Sequence, residues 1–303
     1  MDALAEHYYG LRFELDFRNA RGDNFQVFMG KIMSLAYPGD FIQTRPWGRL
    51  GDEKCDGYLR SLRKFYQCYA PDEMDKATTI KKMAEDFNGV LPHKAFFKAW
   101  VFAHNARDGR LPTWLVLEIE NMQLANAEIA IEELGFIELR KITFGLSGSD
   151  LIFLFGPPIT QQALMSLGFA DLKPVLSHLV AQPATTQDES PFPVSAEKLT
   201  YNALGSDVEA LLKAGMTKSR MVRDYLARTI NKEQATKIAT SFRDEYQRLK
   251  AAGLSPLELF DGLRQFAYGP GLPDGKTEVA TLAILAYLFE ECDIFENPEA
   301  EVT

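Results

Sequence analysis

The chain has 303 residues, of which 46% are hydrophobic and 25% charged, and a formal net charge of −9. It is longer than a typical single domain and ordinary in composition, so two domains with proper cores are expected. The acidic balance excludes a generally basic nucleic-acid coat but leaves room for a local basic groove. Cys55, Cys68 and Cys292 show no CxxC pair and no zinc spacing. A disulfide framework is therefore not expected, and a reducing cytoplasm fits. The first residues lack the basic start and apolar run of a signal peptide. The most apolar stretch, Ala280 to Phe289, is too short to span a bilayer and reads as a core helix.

In chain order, Phe25, Phe28, Met29, Ile32, Met33 and Leu35 recur at helical spacing behind the cap-like run Arg21-Gly22-Asp23-Asn24. Pro38-Gly39-Asp40 breaks the chain, and Phe41 to Thr44 reads as a short strand. Gly51 to Tyr58 and Phe65 to Pro71 read as two further strands, connected near Arg60 to Lys64. Side chains alternate along a strand, so Asp52, Lys54 and Asp56 share one face. On the next strand Gln67 and Tyr69 share a face and Cys68 points the other way. Paired as a hairpin, these strands bring two carboxylates, an ammonium, an amide and a phenol together. Such oxygen ligands suit a hard cation such as Mg²⁺.

Pro71-Asp72-Glu73 has the composition of a helix start, and that helix is expected to run to Asn88-Gly89. Lys98 to Ala103 reads as a buried strand and Pro112 to Asn126 as a helix. Ile129 to Leu139 stays open between strand and helix, interrupted by Gly135. Leu151 to Phe155 is a compact apolar segment before Gly156-Pro157-Pro158, and Gln161 to Leu179 is helical in character. Residues 181–196, with Pro183, Pro191 and Pro193, read as a linker. Beyond it helices are expected over 206–212, 218–228, 232–250, 255–266 and 277–291, with Ser255-Pro256-Leu257-Glu258 as a capped start. The expected fold class is α/β. A mixed sheet flanked by helices occupies 1–180, and an all-α domain occupies 197–303.

The run Gly51-Asp52, then Cys55-Asp56-Gly57, then Tyr66-Gln67-Cys68-Tyr69 resembles the site of Mrr-like members of the restriction-endonuclease-like PD-(D/E)xK superfamily. There an aspartate precedes a glycine on one strand, and the next strand carries Glu or Gln, one residue, then Lys. The likeness covers the first 160 or so residues at the level of element order, and its specific part is about twenty residues. It implies a Mg²⁺-dependent endonuclease acting on DNA, or one using Mn²⁺. Asp56 and Gln67 would be metal ligands and catalytic, with Asp52 a second ligand or a group supporting the first. Tyr69 stands where the family has its lysine, and Gln26 where a first-helix acid is common. Lys54 is then the substitute cation, Glu14 the substitute acid and Tyr69 an auxiliary group. Without the resemblance, the GDxxxDG stretch reads as a turn with solvated acids, and the alternative function is an inactive nuclease-like module that binds nucleic acid or partner subunits.

Arg45, Arg49, Lys54, Arg60, Arg63 and Lys64, interleaved with Trp47, Tyr58, Phe65 and Tyr66, read either as a phosphate-tracking groove with stacking platforms or as a solvated hairpin with core aromatics. His104-Asn105 reads as a polar strand exit. Gly215 to Met221 fits a capped amphipathic helix better than a helix-turn-helix reader. Cys55 and Cys68 read as small core residues. Asp207 to Leu212, Lys218-Ser219-Arg220 and the ending Ala286 to Glu296 are similar to the C-terminal helical domain of ABC-three-component anti-phage systems. That likeness implies a defence effector whose helical domain associates with partner subunits. The expected partners are DNA, those subunits and a further copy of the chain, with no membrane.

Overall fold

The computed structural model describes residues 1–44, 55–106, 109–183, 198–271, 273–291 and 294–296. Its contacts divide the chain into two units. One is Phe13–Gly156, and the other is Met1–Arg12 together with Pro157–Thr303. Helix α1 (Ala3–Asn19) contributes residues to both. Residues 184–196 of the expected linker lie outside the described residues.

In the first unit, helix α2 (Asp23–Ala36) forms at the predicted spacing and buries Phe25, Met29, Ile32 and Met33. Strands β1 (Phe41–Gln43), β2 (Gly57–Leu59), β3 (Lys64–Tyr69), β4 (Ala99–His104) and β5 (Ala130–Leu134) form one sheet in chain order. The first three are an antiparallel meander, and the last three are parallel. Parallel neighbours cannot be joined by a tight turn. The crossovers therefore carry helices α3 (Lys76–Val90) and α4 (Thr113–Ala125).

Met83, Phe87 and Val90 of α3 and Leu115, Ile119 and Met122 of α4 pack with Trp100, Phe102 and Ile131 of the sheet. On the other face α2 lies on β1 and β3, with Cys68 Sγ 3.7 Å from Met29 Sδ. Strand β4 is buried at every position, as a central parallel strand covered on both faces should be. At Gly57 a Cβ would lie 2.4 Å from Cζ of Phe41, so only glycine lets that ring lie across β2.

Several boundaries differ from the sequence reading, each for a local reason. Helix α3 starts at Lys76, where Asp75 and not Asp72 is the N-cap and accepts the Thr78 N–H at 2.8 Å. Segment 129–139 resolves into β5 and helix α5 (Phe136–Phe144), with Gly135 between them and its N–H donating to Glu138 Oε2 at 3.3 Å. Residues 151–155 end helix α6 (Gly148–Phe155), which opens on the reciprocal Ser147–Asp150 capping box. The stretch 161–179 is two helices, α7 (Gln161–Ser166) and α8 (Phe169–Val180).

The second unit, over its described residues, is helical. It adds α9 (Lys198–Tyr201), α10 (Ser206–Met216), α11 (Ser219–Thr229), α12 (Lys232–Ala251), α13 (Pro256–Tyr268) and α14 (Gly275–Glu290) to α7 and α8. Helix α14 is continuously buried from Glu278 to Ala286, and α8, α10, α11 and α13 pack on it. A helix apolar on all sides belongs in a core. No described helix is long and apolar enough to cross a membrane.

Two buried polar networks fasten this unit. Arg264 Nη2 donates to Glu278 Oε1 at 2.8 Å and Oε2 at 3.0 Å, and Arg264 also bonds Asp261. Tyr8 donates to Glu278 at 3.3 Å, and His7 Nδ1 is 2.8 Å from Asp207 Oδ1. The start of α1 is thereby tied to the bundle. Burial works against the Arg264 charge, but the two carboxylates outweigh it and hold the guanidinium above its ordinary range. In the second network Lys198, fully buried, donates to the carbonyls of Phe289 at 2.8 Å and Ile294 at 2.7 Å. Asn202 and Tyr246 secure Glu296 beside it.

Candidate active site

Asp56 stands one residue before β2. Its N–H donates to the Tyr66 carbonyl at 2.7 Å, while Gly57 is the register partner of Tyr66. Two residues thus face one, as in a bulge, which bends a strand and re-aims its side chains. The Asp56 carboxylate turns to accept the Cys68 N–H at 2.6 Å.

Gln67 lies on the paired strand. Asp56 and Gln67 are both buried, each 6% exposed. The amide oxygen of Gln67 has no hydrogen-bond partner among the described residues. Leaving such a group unpaired costs about 1–3 kcal/mol, so it calls for a reason.

Tyr69 shares the Gln67 face, as alternation requires. Its ring packs 5.8 Å from that of Phe102, and its hydroxyl is 3.2 Å from Thr79 Oγ1 on α3. Cys68 points to the opposite face, toward Met29. Burial, then the Asp56 carboxylate and Cys55, push its thiol well above the ordinary range, so it is a protonated packing group. Asp52 and Lys54 lie outside the described residues, as do Arg45, Trp47 and Arg49. Gln26 donates to the Thr44 carbonyl at 3.3 Å, and Glu14 is ion-paired with Arg18 at 2.6 Å.

A carboxylate, as on Asp56, and an amide oxygen, as the unpartnered one of Gln67, are the kinds of hard donor that Mg²⁺ takes. That ion keeps several waters and binds through one or two carboxylates. Among the described residues no group of three or more His, Cys, Asp or Glu side chains is arranged to hold a metal.

In the described part of the basic, aromatic hairpin, Arg60 is exposed, while Arg63 and Lys64 are occupied with structure. Arg63 donates to the Phe96 carbonyl at 3.2 Å and bonds Ala95 as well. Lys64 pairs with Glu132. Phe65 stacks on Phe97, and Tyr66 packs edge-on against Phe41.

The strand exit at His104-Asn105 is also structural. Asn105 Nδ2 bonds the Ala20 carbonyl, and His104 Nδ1 accepts the Ala106 N–H at 3.2 Å. His104 Nε2 is 3.5 Å from Glu133, without the alignment of a hydrogen bond. Gly215, between the expected helices of a reader, packs against α14, where a Cβ would meet that of Ala286 at 2.7 Å.

Two features escaped the sequence reading. Asp86 of α3 is 1% exposed and takes Lys82 Nζ at 2.5 Å. The four-residue spacing was visible, but not the burial. A cavity of about 460 Å³ at the carboxyl ends of β3 and β4 is lined by residues from three separate connections.

Comparison with known proteins reaches only the helical part of the chain. No curated protein matches it, and no solved structure does. Residues 170–296 match the model of C-terminal domain 10 of the ABC-three component systems, so the C-terminal helical part of this chain is similar to that domain.

Proposed function

We propose that this protein is an effector of a multi-component anti-phage defence system. Its helical unit would associate with partner subunits, and its sheet unit would be a metal-dependent DNA endonuclease. Support for the first half comes from the match over residues 170–296. The second half is carried by one observation: the buried, unpartnered amide oxygen of Gln67 on the strand paired with that of Asp56. The order of helix, three antiparallel strands, helix and parallel strand agrees with the nuclease resemblance.

In this reading Asp56 and Gln67 hold the cation through carboxylate and amide oxygens, with Asp52 as a further ligand. When bound, Mg²⁺ supplies charge stabilisation at the phosphate and an acidified water. The Cys68 N–H fixes the orientation of the Asp56 carboxylate. Lys54 offsets charge on the attacked phosphate. Tyr69 braces β3 against α3, which keeps the Gln67 strand in register.

Asp56→Asn tests this better than alanine, because asparagine keeps an acceptor for Cys68 while losing the charge. The expected result is loss of Mg²⁺- or Mn²⁺-dependent DNA cleavage with an unchanged thermal transition. Wild-type protein that leaves duplex and single-stranded DNA intact, alone and with its partners, overturns the nuclease reading.

A second reading, an inactive module that binds nucleic acid or partner subunits, is favoured by a different observation. The Asp56 carboxylate and the Tyr69 hydroxyl both already make structural bonds. It predicts salt-sensitive binding that persists in chelator and a Tyr69→Lys variant with no gain of cleavage.

A further inference from the structure

We propose that the cavity at the carboxyl ends of β3 and β4 binds a nucleotide unit, free or within a strand. Arg21 and Arg110 would hold the phosphate, and Asp72 and Glu73 the sugar hydroxyls. Open α/β sheets take their ligands outside the carboxyl ends of parallel strands, because no side chain of the sheet fills that space. The chain leaves β3 through Asp72 and Glu73 and leaves β4 through Asn105, and all three line the cavity.

Its charges are of both signs, with Asp72, Glu73 and Arg110 exposed and Arg21 half-buried. Two guanidiniums and two carboxylates line one space. Yet none of the four is in an ion pair within 4.0 Å among the described residues. The bond Arg21 makes, to the Ala20 carbonyl at 3.1 Å, leaves its charge uncompensated. Opposite charges held apart around a cavity suit a ligand that carries an anion and hydroxyl donors at separate points.

The separation is built in. Ala20 is bonded by the buried Asn105 side chain, and the Gly22 N–H donates to the Ala70 carbonyl at 2.7 Å. Arg21 is thus pinned on both sides to the ends of β4 and β3. The loop carrying Asp72 and Glu73 runs into the Asp75 cap of α3.

The remaining wall is apolar, with Met74, Leu111 and Pro112, and matches the face of a base. Inorganic phosphate would leave that wall and both acids unused. A free amino acid would fill only a small part of about 460 Å³. A nucleotide uses all three surfaces.

The proposal does not depend on the metal site. Calorimetric titration of the full chain in EDTA tests it, with the four ribonucleoside monophosphates, adenosine, inorganic phosphate and a single-stranded pentanucleotide. Binding of a monophosphate or of the pentanucleotide is expected, with adenosine weaker by about tenfold or more. Arg110→Ala and Arg21→Ala should each weaken binding by about tenfold, with the thermal transition retained. Monophosphate binding identifies a free nucleotide as the source, and binding of the pentanucleotide alone identifies a strand. The proposal is overturned if neither binds, if the arginine variants bind as wild type does, or if inorganic phosphate binds as tightly as a monophosphate. Because cleavage is not read and chelator is present, failure here leaves the nuclease reading standing, and loss of cleavage leaves this one standing.

Discussion

The two units treat buried polar groups differently. In the helical unit the large buried charges are answered: Arg264 by Glu278 and Asp261, Lys198 by two backbone carbonyls. The buried hydroxyls of Ser219 and Thr281 are left over there, as is Nε of Arg12, whose guanidinium nonetheless lies 3.9 Å from Asp261. In the sheet unit the buried Asp56 and Asp86 carboxylates are bonded, but the buried Gln67 amide oxygen has no hydrogen-bond partner among the described residues. Answered groups hold a fold together. Unanswered groups cost stability and persist where something else is gained.

The largest effect should come from breaking an answered charge. Arg264→Met leaves Glu278 and Asp261 buried without a counter-ion and should destabilise the helical unit by about 3–5 kcal/mol in chemical denaturation. Lys198→Met keeps the stem but strands two carbonyls, at a cost of about 2 kcal/mol by the same measurement.

The opposite sign is expected at an unanswered group. Gln67→Leu removes a buried unpaired oxygen and should raise stability by about 1 kcal/mol while abolishing metal-dependent cleavage. A destabilised Gln67→Leu protein would show that the amide has a partner and would erase the contrast between the units. Tyr69→Phe should lose under about 1 kcal/mol with its bond to Thr79, and leave cleavage near wild type.

The smallest effect is with pH. Lys250, more than Tyr246, holds the Glu296 carboxyl below its ordinary range. Its contribution is present above the unfolded carboxylate range and is lost as pH falls through the lowered folded value. Melting curves between neutral and acidic pH should therefore converge for wild type and Glu296→Gln in acid.

Most of the elements were legible from spacing and caps. The heptad-like run in α2, the Ser255 box of α13 and the apolar Ala280 to Phe289 stretch each carry their own signal. The alternation along β3 was legible too, because Gln67 and Tyr69 must share a face once that strand is extended. Other features depend on residues distant in sequence. His7 and Tyr8 join a bundle whose partners lie about 200 and 270 residues away, and no local pattern announces that. The bulge at Asp56 requires knowledge of where the Tyr66 carbonyl points. The pair of Lys82 with the buried Asp86 looks on paper like a solvated i, i+4 pair. The Ser147–Asp150 box was a missed local cue, overshadowed by the apolar run behind it.

The ring of Phe41 resting on Gly57 has a consequence for how such chains are grouped. Any substitution there would push the aromatic away, and the Asp56 carboxylate separately holds the Cys68 N–H, so structure alone could keep an Asp-Gly pair after all chemistry had vanished. Searches keyed to that dipeptide would gather scaffolds as readily as enzymes. The residue that separates them is Gln67, since apolar packing has no use for an amide at that position.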